Sequence, residues 1–163
     1  LLDARTGLSE PAGLLLGGLA HLHVLFGTGS DQSWIGLRLI LQRIGALRVR
    51  QSAPQLECLL VQALVPQDAS VAAASQGAFR DRARDEFTSN YYAEDPSDPD
   101  EDALWYVRDL DGEDSPHVPI PISYDPKLAH FSLIDDVADV LAGSAEYTAL
   151  AARIANRFLD AGA

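Results

Sequence analysis

The clearest chemical signal in this chain is a concentration of carboxylates between residues 85 and 114. This segment holds twelve acidic residues and one base, Arg108, and the net charge of the whole 163-residue chain is −12. Charge of one sign gathered on one side of a protein steers its association with oppositely charged partners. We therefore expect an acidic, partner-binding patch that consists of Glu94, Asp95, Asp98, Asp100, Glu101, Asp102, Asp109, Asp111, Glu113 and Asp114.

Part of this segment has the spacing of a calcium-binding loop. Three aspartates alternate from Asp98 to Asp102, and Asp109 stands at the twelfth position of the loop. The position that needs glycine holds Ala103, however, and an aspartate replaces the closing bidentate glutamate. A solvated acidic loop is the commonest meaning of such a run. We predict no metal site. The alternative is a metal-dependent enzyme that uses the acidic cluster from Asp98 to Asp114.

A second stretch has the opposite character. Residues 32–56 contain no acid, and they carry the four arginines of a basic patch, Arg38, Arg43, Arg48 and Arg50. Two helices followed by a basic two-stranded ribbon are the order found in winged-helix domains, which bind DNA through a helix and a wing. The first of these arginines lie on a predicted helix that is apolar nearly all round, unlike a recognition helix. Nucleic-acid binding is therefore the alternative, and the four arginines are expected to be partners of the acidic loop or a contact patch for a neighbouring subunit.

The residue types that often serve catalysis have no activating or metal-ligating neighbours in this sequence. Cys58 lies in the apolar run 56–65, where no neighbouring cation would lower the pKa of its thiol. His21 and His23 are two positions apart and diverge on a helix, so they cannot chelate one metal ion together. The chain has neither a Gly-x-Ser-x-Gly nucleophile elbow nor Walker spacing. We expect a non-catalytic protein without a cofactor.

Length and composition set the broad class. A chain of 163 residues with 47% hydrophobic residues is a single-domain length, so residues 1–163 are expected to form one domain. The lone cysteine is typical of a reduced, cytoplasmic compartment. Residues 11–30 carry no charge, but their five glycines and two histidines favour a buried helix over a membrane span.

Helix and strand signals follow one another along the chain. An N-terminal pair of helices is predicted, the first over 9–26 and the second from a cap at Ser30 or Asp31 to a stop at Gly45. Strands are predicted over 47–50 and 56–65. A surface helix follows, because Phe79, Ala83 and Phe87 share one helical stripe, and residues 94–102 are expected to form a mobile acidic loop.

The second half of the chain predicts a hairpin and two helices. The hairpin spans 103–124, and its second strand is an edge strand because Pro119 and Pro121 each remove a backbone donor. Two C-terminal helices meet at Gly143 and Ser144. The predicted fold is α+β, with an antiparallel sheet of about four strands.

These observations predict a non-catalytic protein–protein interaction module. Its partner would be another protein, possibly basic, or copies of itself, as in a subunit of a larger assembly, a phage-type structural component or an inhibitor of the immunity type. The segregated acidic and basic patches would form its contacts. No membrane partner is expected.

Overall fold

A computed structural model describes residues 18–94, 103–130 and 132–159 of the chain. Its sheet has three strands, β1 (Leu22–Gly27), β2 (Glu57–Val65) and β3 (Ile120–Ser123), in the order β1-β2-β3. All neighbouring strands are parallel, with Leu22 opposite Glu57 and Val61 opposite Ile120. Parallel neighbours require a crossover connection between them, and helices provide it in both cases.

The helices are α1 (Asp31–Ile44), α2 (Ala46–Arg50), α3 (Ala69–Asn90), α4 (Pro126–Ala129), α5 (Ile134–Gly143) and α6 (Ala145–Leu159). The Ser30 side chain accepts a hydrogen bond from the Ser33 amide and caps α1, and Gly45 ends this helix, as predicted. The Asp68 side chain accepts bonds from the amides of Ser70 and Val71 at the start of α3. None of the helices in the described part of the chain combines the length and apolar character that a membrane crossing needs.

The predicted antiparallel, four-stranded sheet is wrong. Within 103–124 there is no hairpin, because residues 107–111 form a 3-10 helix and only β3 joins the sheet, parallel to β2. The Asp109 carboxylate accepts a hydrogen bond from the Tyr106 amide, a cap that favours helical backbone at this point. The prediction of β3 as an edge strand is confirmed, with Ile120 and Ile122 buried.

Two further expectations at the start of the chain are corrected. Residues 22–27, predicted as the end of a helix, form β1, while the rest of that helix up to residue 17 lies outside the described residues. Residues 47–50, predicted as a strand, belong to α2. The acidic loop predicted over 94–102 also lies outside the described residues, except for Glu94.

Helices cover the two faces of the sheet unequally. The chain moves across the sheet in one direction, from β1 to β2 to β3, and right-handed crossovers of this kind place their helices on the same face. On this face, which we call the helical face, Leu25 and Leu60 pack with Trp34 of α1 and Phe79 of α3. Among the described elements, α6 covers the opposite face, the α6 face, through a smaller core that contains Val61, Ile120, Ile122 and Leu150.

Candidate interaction surface

β1 forms one edge of the sheet, and no strand in the described part of the chain pairs with its outer side. Its sequence, Leu-His-Val-Leu-Phe-Gly, contains no proline and no residue with a permanent charge. Its six residues pair without a bulge along β2. Natural proteins usually protect such an edge with charge, proline or a bulge, because free backbone groups accept another strand.

β3, at the opposite edge, is protected in this way. The amide of Tyr124 donates to the Val65 carbonyl, so residues 120, 122 and 124 turn their backbone groups toward β2. The alternate positions, which face outward, include Pro119 and Pro121, which have no amide hydrogen. The amide of Ser123 donates a hydrogen bond to the Glu146 carboxylate at 2.8 Å. Of the two edges formed by the described strands, β1 is therefore the one that lacks prolines and a capped amide.

The α6 face is also open beside β1. Side chains alternate along a strand, so Leu22, Val24 and Phe26 share this face. Val24 is half-buried against the smaller core, whereas Phe26 is 58% exposed. Strands of a parallel sheet are normally apolar because both of their faces are covered. We call the outer edge of β1 together with these three side chains the β1 surface.

The members of the predicted acidic patch serve different roles. Asp109 caps the 3-10 helix, Asp111 pairs with Arg84 at 3.0 Å, and the Asp114 carboxylate lies 3.8 Å from Arg153. Glu94 and Glu113 are exposed. The remaining five members, Asp95, Asp98, Asp100, Glu101 and Asp102, lie outside the described residues.

The four arginines of the basic patch also have different roles. Arg38 donates two hydrogen bonds to the Glu86 carboxylate, at 2.9 and 2.5 Å, and this bonding raises the pKa of Arg38 and lowers that of Glu86. Arg48 donates to the carbonyl of Pro54 at 2.7 Å. Arg43 and Arg50 are exposed. In the described residues none of these four arginines is paired with a member of the acidic patch.

A buried polar cluster lies where the segment after the 3-10 helix packs on the end of α3. Tyr92 Oη and His117 Nδ1 are 2.8 Å apart, and both residues are buried. Burial, with the nearby cations Arg84 and Arg153, lowers the pKa of His117 to about 4. His117 is thus neutral in the folded protein at neutral pH. The Ser115 hydroxyl in the same cluster donates to the carbonyl of Asp109.

This shift predicts how stability depends on pH. In the unfolded chain a histidine has a pKa of about 6.5. Because the folded pKa is lower, the contribution of His117 to stability is complete above pH 6.5. It falls by up to about 1.4 kcal/mol per pH unit as the pH drops toward 4. Urea unfolding of the wild type and of His117→Gln, measured from pH 7.5 to 4.5, should show this slope in the wild type and a flatter one in the variant. Parallel slopes would contradict the assignment.

Two further residues with ionisable side chains, Cys58 and Glu57, lie among structural contacts. Cys58 is buried and free, as predicted, and burial raises the pKa of its thiol. Glu57 accepts a hydrogen bond from Trp105 Nε1 at 2.8 Å and lies 3.6 Å from Arg157, which stacks on the Trp105 ring. Burial raises the pKa of Glu57. In the described residues no group of three or more histidine, cysteine or acidic side chains is placed to hold a metal ion.

A cavity of about 270 Å³ opens at the carboxyl end of β3, next to α4 and the junction of α5 and α6. Several polar residues of its lining are hydrogen-bonded within the chain. Glu146 accepts from the amide and the hydroxyl of Ser123, Gln67 donates to the Tyr124 carbonyl, and Asp125 caps α4. In open parallel sheets, ligand crevices form where the strand order reverses, and this sheet has no reversal. These contacts therefore indicate a structural role for Ser123, Glu146, Gln67 and Asp125.

Comparison of the chain with protein-family models, with curated proteins and with solved structures finds no significant match.

The β1 surface could not be foreseen once these residues were predicted to be helical. A signal was present nonetheless. A short apolar run that ends in Gly27 and is followed at once by a capped helix is typical of a strand and its crossover. The alternation of Leu22, Val24 and Phe26 has the period of a strand as well.

Proposed function

We propose that this chain is a non-catalytic protein–protein interaction module and that its contact surface is the β1 surface. The observation that carries the proposal is the uncharged outer edge of β1, which no described strand covers in a sheet whose other edge is protected. The proposed ligand is an extended segment of a protein, added as a further strand. Backbone hydrogen bonds would supply affinity, and the side chains at alternate positions would supply specificity.

The side chains beside the edge define the chemistry of this segment. Phe26 is largely exposed, and Leu22 and Val24 are half-buried. All three side chains are apolar. Burial of apolar area on association contributes about 25 cal/mol per Å² before the cost of immobilising the partner. The added strand should therefore carry apolar side chains at every second position, on the same face as Phe26.

The charged patches have a secondary role in this proposal. Exposed charges outside a contact mainly change the rate of association, and their effect weakens with salt. Glu94 and Glu113 on one side and Arg43 and Arg50 on the other are exposed and suited to this role. The winged-helix alternative is disfavoured, because residues 47–50, expected to form one strand of its wing, belong to α2.

A charge placed on the β1 surface tests the proposal. Phe26→Lys should weaken binding at least about tenfold, because a lysine would have to be desolvated beside the added strand. Ile35→Lys is the matched control, since Ile35 on α1 is 60% exposed and Phe26 58%. Each variant is immobilised and offered two probes, the purified wild-type protein and a cell lysate. Any protein retained from the lysate is then purified and titrated against all three forms.

The expected result is a probe bound by the wild type and by Ile35→Lys, with binding lost in Phe26→Lys. Two results would overturn the proposal. One is equal binding by all three forms, and the other is the absence of any bound protein from either probe. Circular dichroism and unfolding curves of both variants should match the wild type, because each changed side chain is mostly exposed.

A further inference from the structure

We propose that α5 and the cavity beside it form a docking surface for a basic amphipathic helix of a partner protein. The cavity opens next to β3, at the opposite edge of the sheet from β1, so this inference goes beyond the proposed function and does not rest on it. We call α5, its N-cap residue Leu133 and this cavity the α5 surface. The partner would place apolar side chains along α5 and one lysine or arginine side chain in the cavity.

The helix α5 is rich in apolar residues, but none of its residues is buried. Leu133 is 64% exposed and Ile134 71%, while Val137 and Val140 are half-buried. Residues three and four positions apart are neighbours on a helix, so these four side chains form one apolar stripe. Among the described residues, neither of the two cores includes a member of this stripe. An exposed apolar stripe of this kind is typical of a surface that binds another protein.

The cavity at the end of this stripe is suited to a cation. Val140 lines it together with Leu128 and Tyr147, and so do the acids Asp125 and Glu146. In the described part of the chain, neither of these carboxylates takes part in an ion pair. Burial and the negative charges of Glu146 and Asp125 raise the pKa of Tyr147. A lysine or arginine side chain would bring its charge to the carboxylates and its methylene groups to Leu128 and Val140.

The structural hydrogen bonds of the two carboxylates leave acceptor positions for such a cation. Glu146 accepts one bond at each oxygen, from the amide and the hydroxyl of Ser123 at 2.8 and 2.7 Å. Asp125 Oδ1 accepts from the Lys127 amide at 2.8 Å. A carboxylate has about four acceptor positions on its two oxygens, so both groups can accept further bonds from an ammonium or guanidinium group. The contacts within the chain can therefore persist when the partner binds.

The charge around α5 determines the class of partner. Residues 125–152 contain five acids, and Lys127 is the single base. The three acids within α5 are all exposed, namely Asp135, Asp136 and Asp139. Lysine or arginine beside the apolar residues of a partner helix is complementary to this charge. A second copy of this chain is not, because its net charge is −12 and contact of α5 with α5 would bring these acids together.

A synthetic peptide serves as the probe of this surface. It has about 18 residues, long enough for an isolated helix, with leucine at the spacing i, i+3, i+4 and i+7 and lysine elsewhere. One control peptide has the same composition in scrambled order, which removes the apolar face. A second has glutamate in place of lysine. Each peptide is labelled and titrated with the complete 163-residue chain, and fluorescence anisotropy is measured at low and high salt. Only the first peptide should bind, more weakly at high salt.

Removal of the exposed apolar side chains tests the stripe. The double variant Leu133→Ser/Ile134→Ser should weaken binding of the peptide at least about tenfold, because less apolar area is buried on docking. Ile35→Ser/Leu39→Ser on α1 is the matched control, since these side chains are 60% and 46% exposed. It should bind as the wild type does. Unfolding curves should show that both double variants remain folded, because the changed side chains are mostly exposed.

A charge change tests the cavity. Asparagine caps a helix about as well as aspartate, so Asp125→Asn should keep the start of α4 while it removes one charge from the cavity. Binding of the peptide should become about threefold weaker, the size of a partly exposed ion pair. Asp81→Asn on α3 is the control, because Asp81 is exposed and does not line the cavity. Equal binding by the wild type and Asp125→Asn would contradict the place of the cation.

Three results would overturn the docking surface. They are the absence of peptide binding by the wild type, equal binding by the wild type and Leu133→Ser/Ile134→Ser, and equally tight binding of a control peptide. A dimer of the chain that dissociates in this double variant would also overturn it, because the occupant would then be a second copy. Phe26→Lys should bind the peptide as the wild type does. Failure of the α5 surface and failure of the β1 surface are therefore measured separately.

Discussion

Replacing Gly45 by alanine should destabilise the protein by about 3 kcal/mol or more. A Cβ atom at this position would lie 2.4 Å from Tyr91 Cα, 2.7 Å from the Asn90 carbonyl oxygen and 2.8 Å from the Leu41 carbonyl oxygen. All three are backbone atoms, so the clash requires the ends of α1 and α3 to separate. Insertion of atoms into a well-packed site costs about 1–3 kcal/mol and more where the backbone must move.

Gly45 has a φ of −99°, outside the left-handed region that favours glycine. The close backbone atoms of α3 and of Leu41 are what exclude a Cβ atom here. Tyr91 next to it is completely buried, and its hydroxyl donates to the Leu56 carbonyl at 3.0 Å. A displacement here would therefore also disturb the start of β2.

Gly77 is the matched control for Gly45→Ala. It lies inside α3, and an added Cβ would meet no atom within 4 Å. Gly77→Ala should stabilise the protein by up to about 1 kcal/mol, because alanine is the better helix former. Urea unfolding followed by circular dichroism measures both variants. Equal midpoints for Gly45→Ala and the wild type would show that the two helices are not as close as described.

Replacing Gln55 by leucine should cost about 2–5 kcal/mol. Gln55 is buried, and its amide donates to the Tyr91 carbonyl at 2.6 Å while its oxygen accepts from the Trp105 amide at 2.8 Å. The side chain thus joins the end of α3 to the segment that precedes the 3-10 helix. Leucine fills a similar volume but leaves both backbone groups without a partner, at about 1–3 kcal/mol each.

Gln42→Leu is the control for this second variant. Gln42 Nε2 donates to the Asn90 side chain at 3.0 Å, but this bond is exposed, so its loss should change stability by less than about 0.5 kcal/mol. Unfolding curves give the difference in free energy. Hydrogen exchange of the Trp105 amide gives an independent measure, and it should become faster in Gln55→Leu. An unchanged exchange rate would contradict the described bond.

Several elements of the fold could be predicted because their signals are local. Ser30 and Gly45 delimit α1, and the buried stripe of Phe79, Ala83 and Phe87 identifies α3. Caps, stops and side-chain periods act within one helix, so they do not depend on the rest of the chain. The two prolines near β3 correctly predicted an edge strand for the same reason, since a missing donor is a property of the residue.

The candidate site was predicted less well than the fold elements. Charge counts identify carboxylates and arginines that could meet a partner, but the ion pairs of Arg38 with Glu86 and of Arg84 with Asp111 require contacts across the fold. The exposure of Phe26 likewise depends on contacts between distant parts of the chain. It results from the position of α6 over the other strands, and α6 comes from the far end of the chain.

Local sequence signals were enough to place both ends of α1, the junction of α5 and α6, the buried strand β2 and the protected edge of the sheet. The direction of strand pairing, and which described strand lies at the other edge, depend on contacts between distant segments. An apolar strand can pair in either direction with similar local preferences, and the direction depends on the face along which the connecting helices cross. Here α3 carries the chain back along the helical face, so β3 enters parallel to β2, and among the described strands none pairs with the outer side of β1, beside the exposed Phe26.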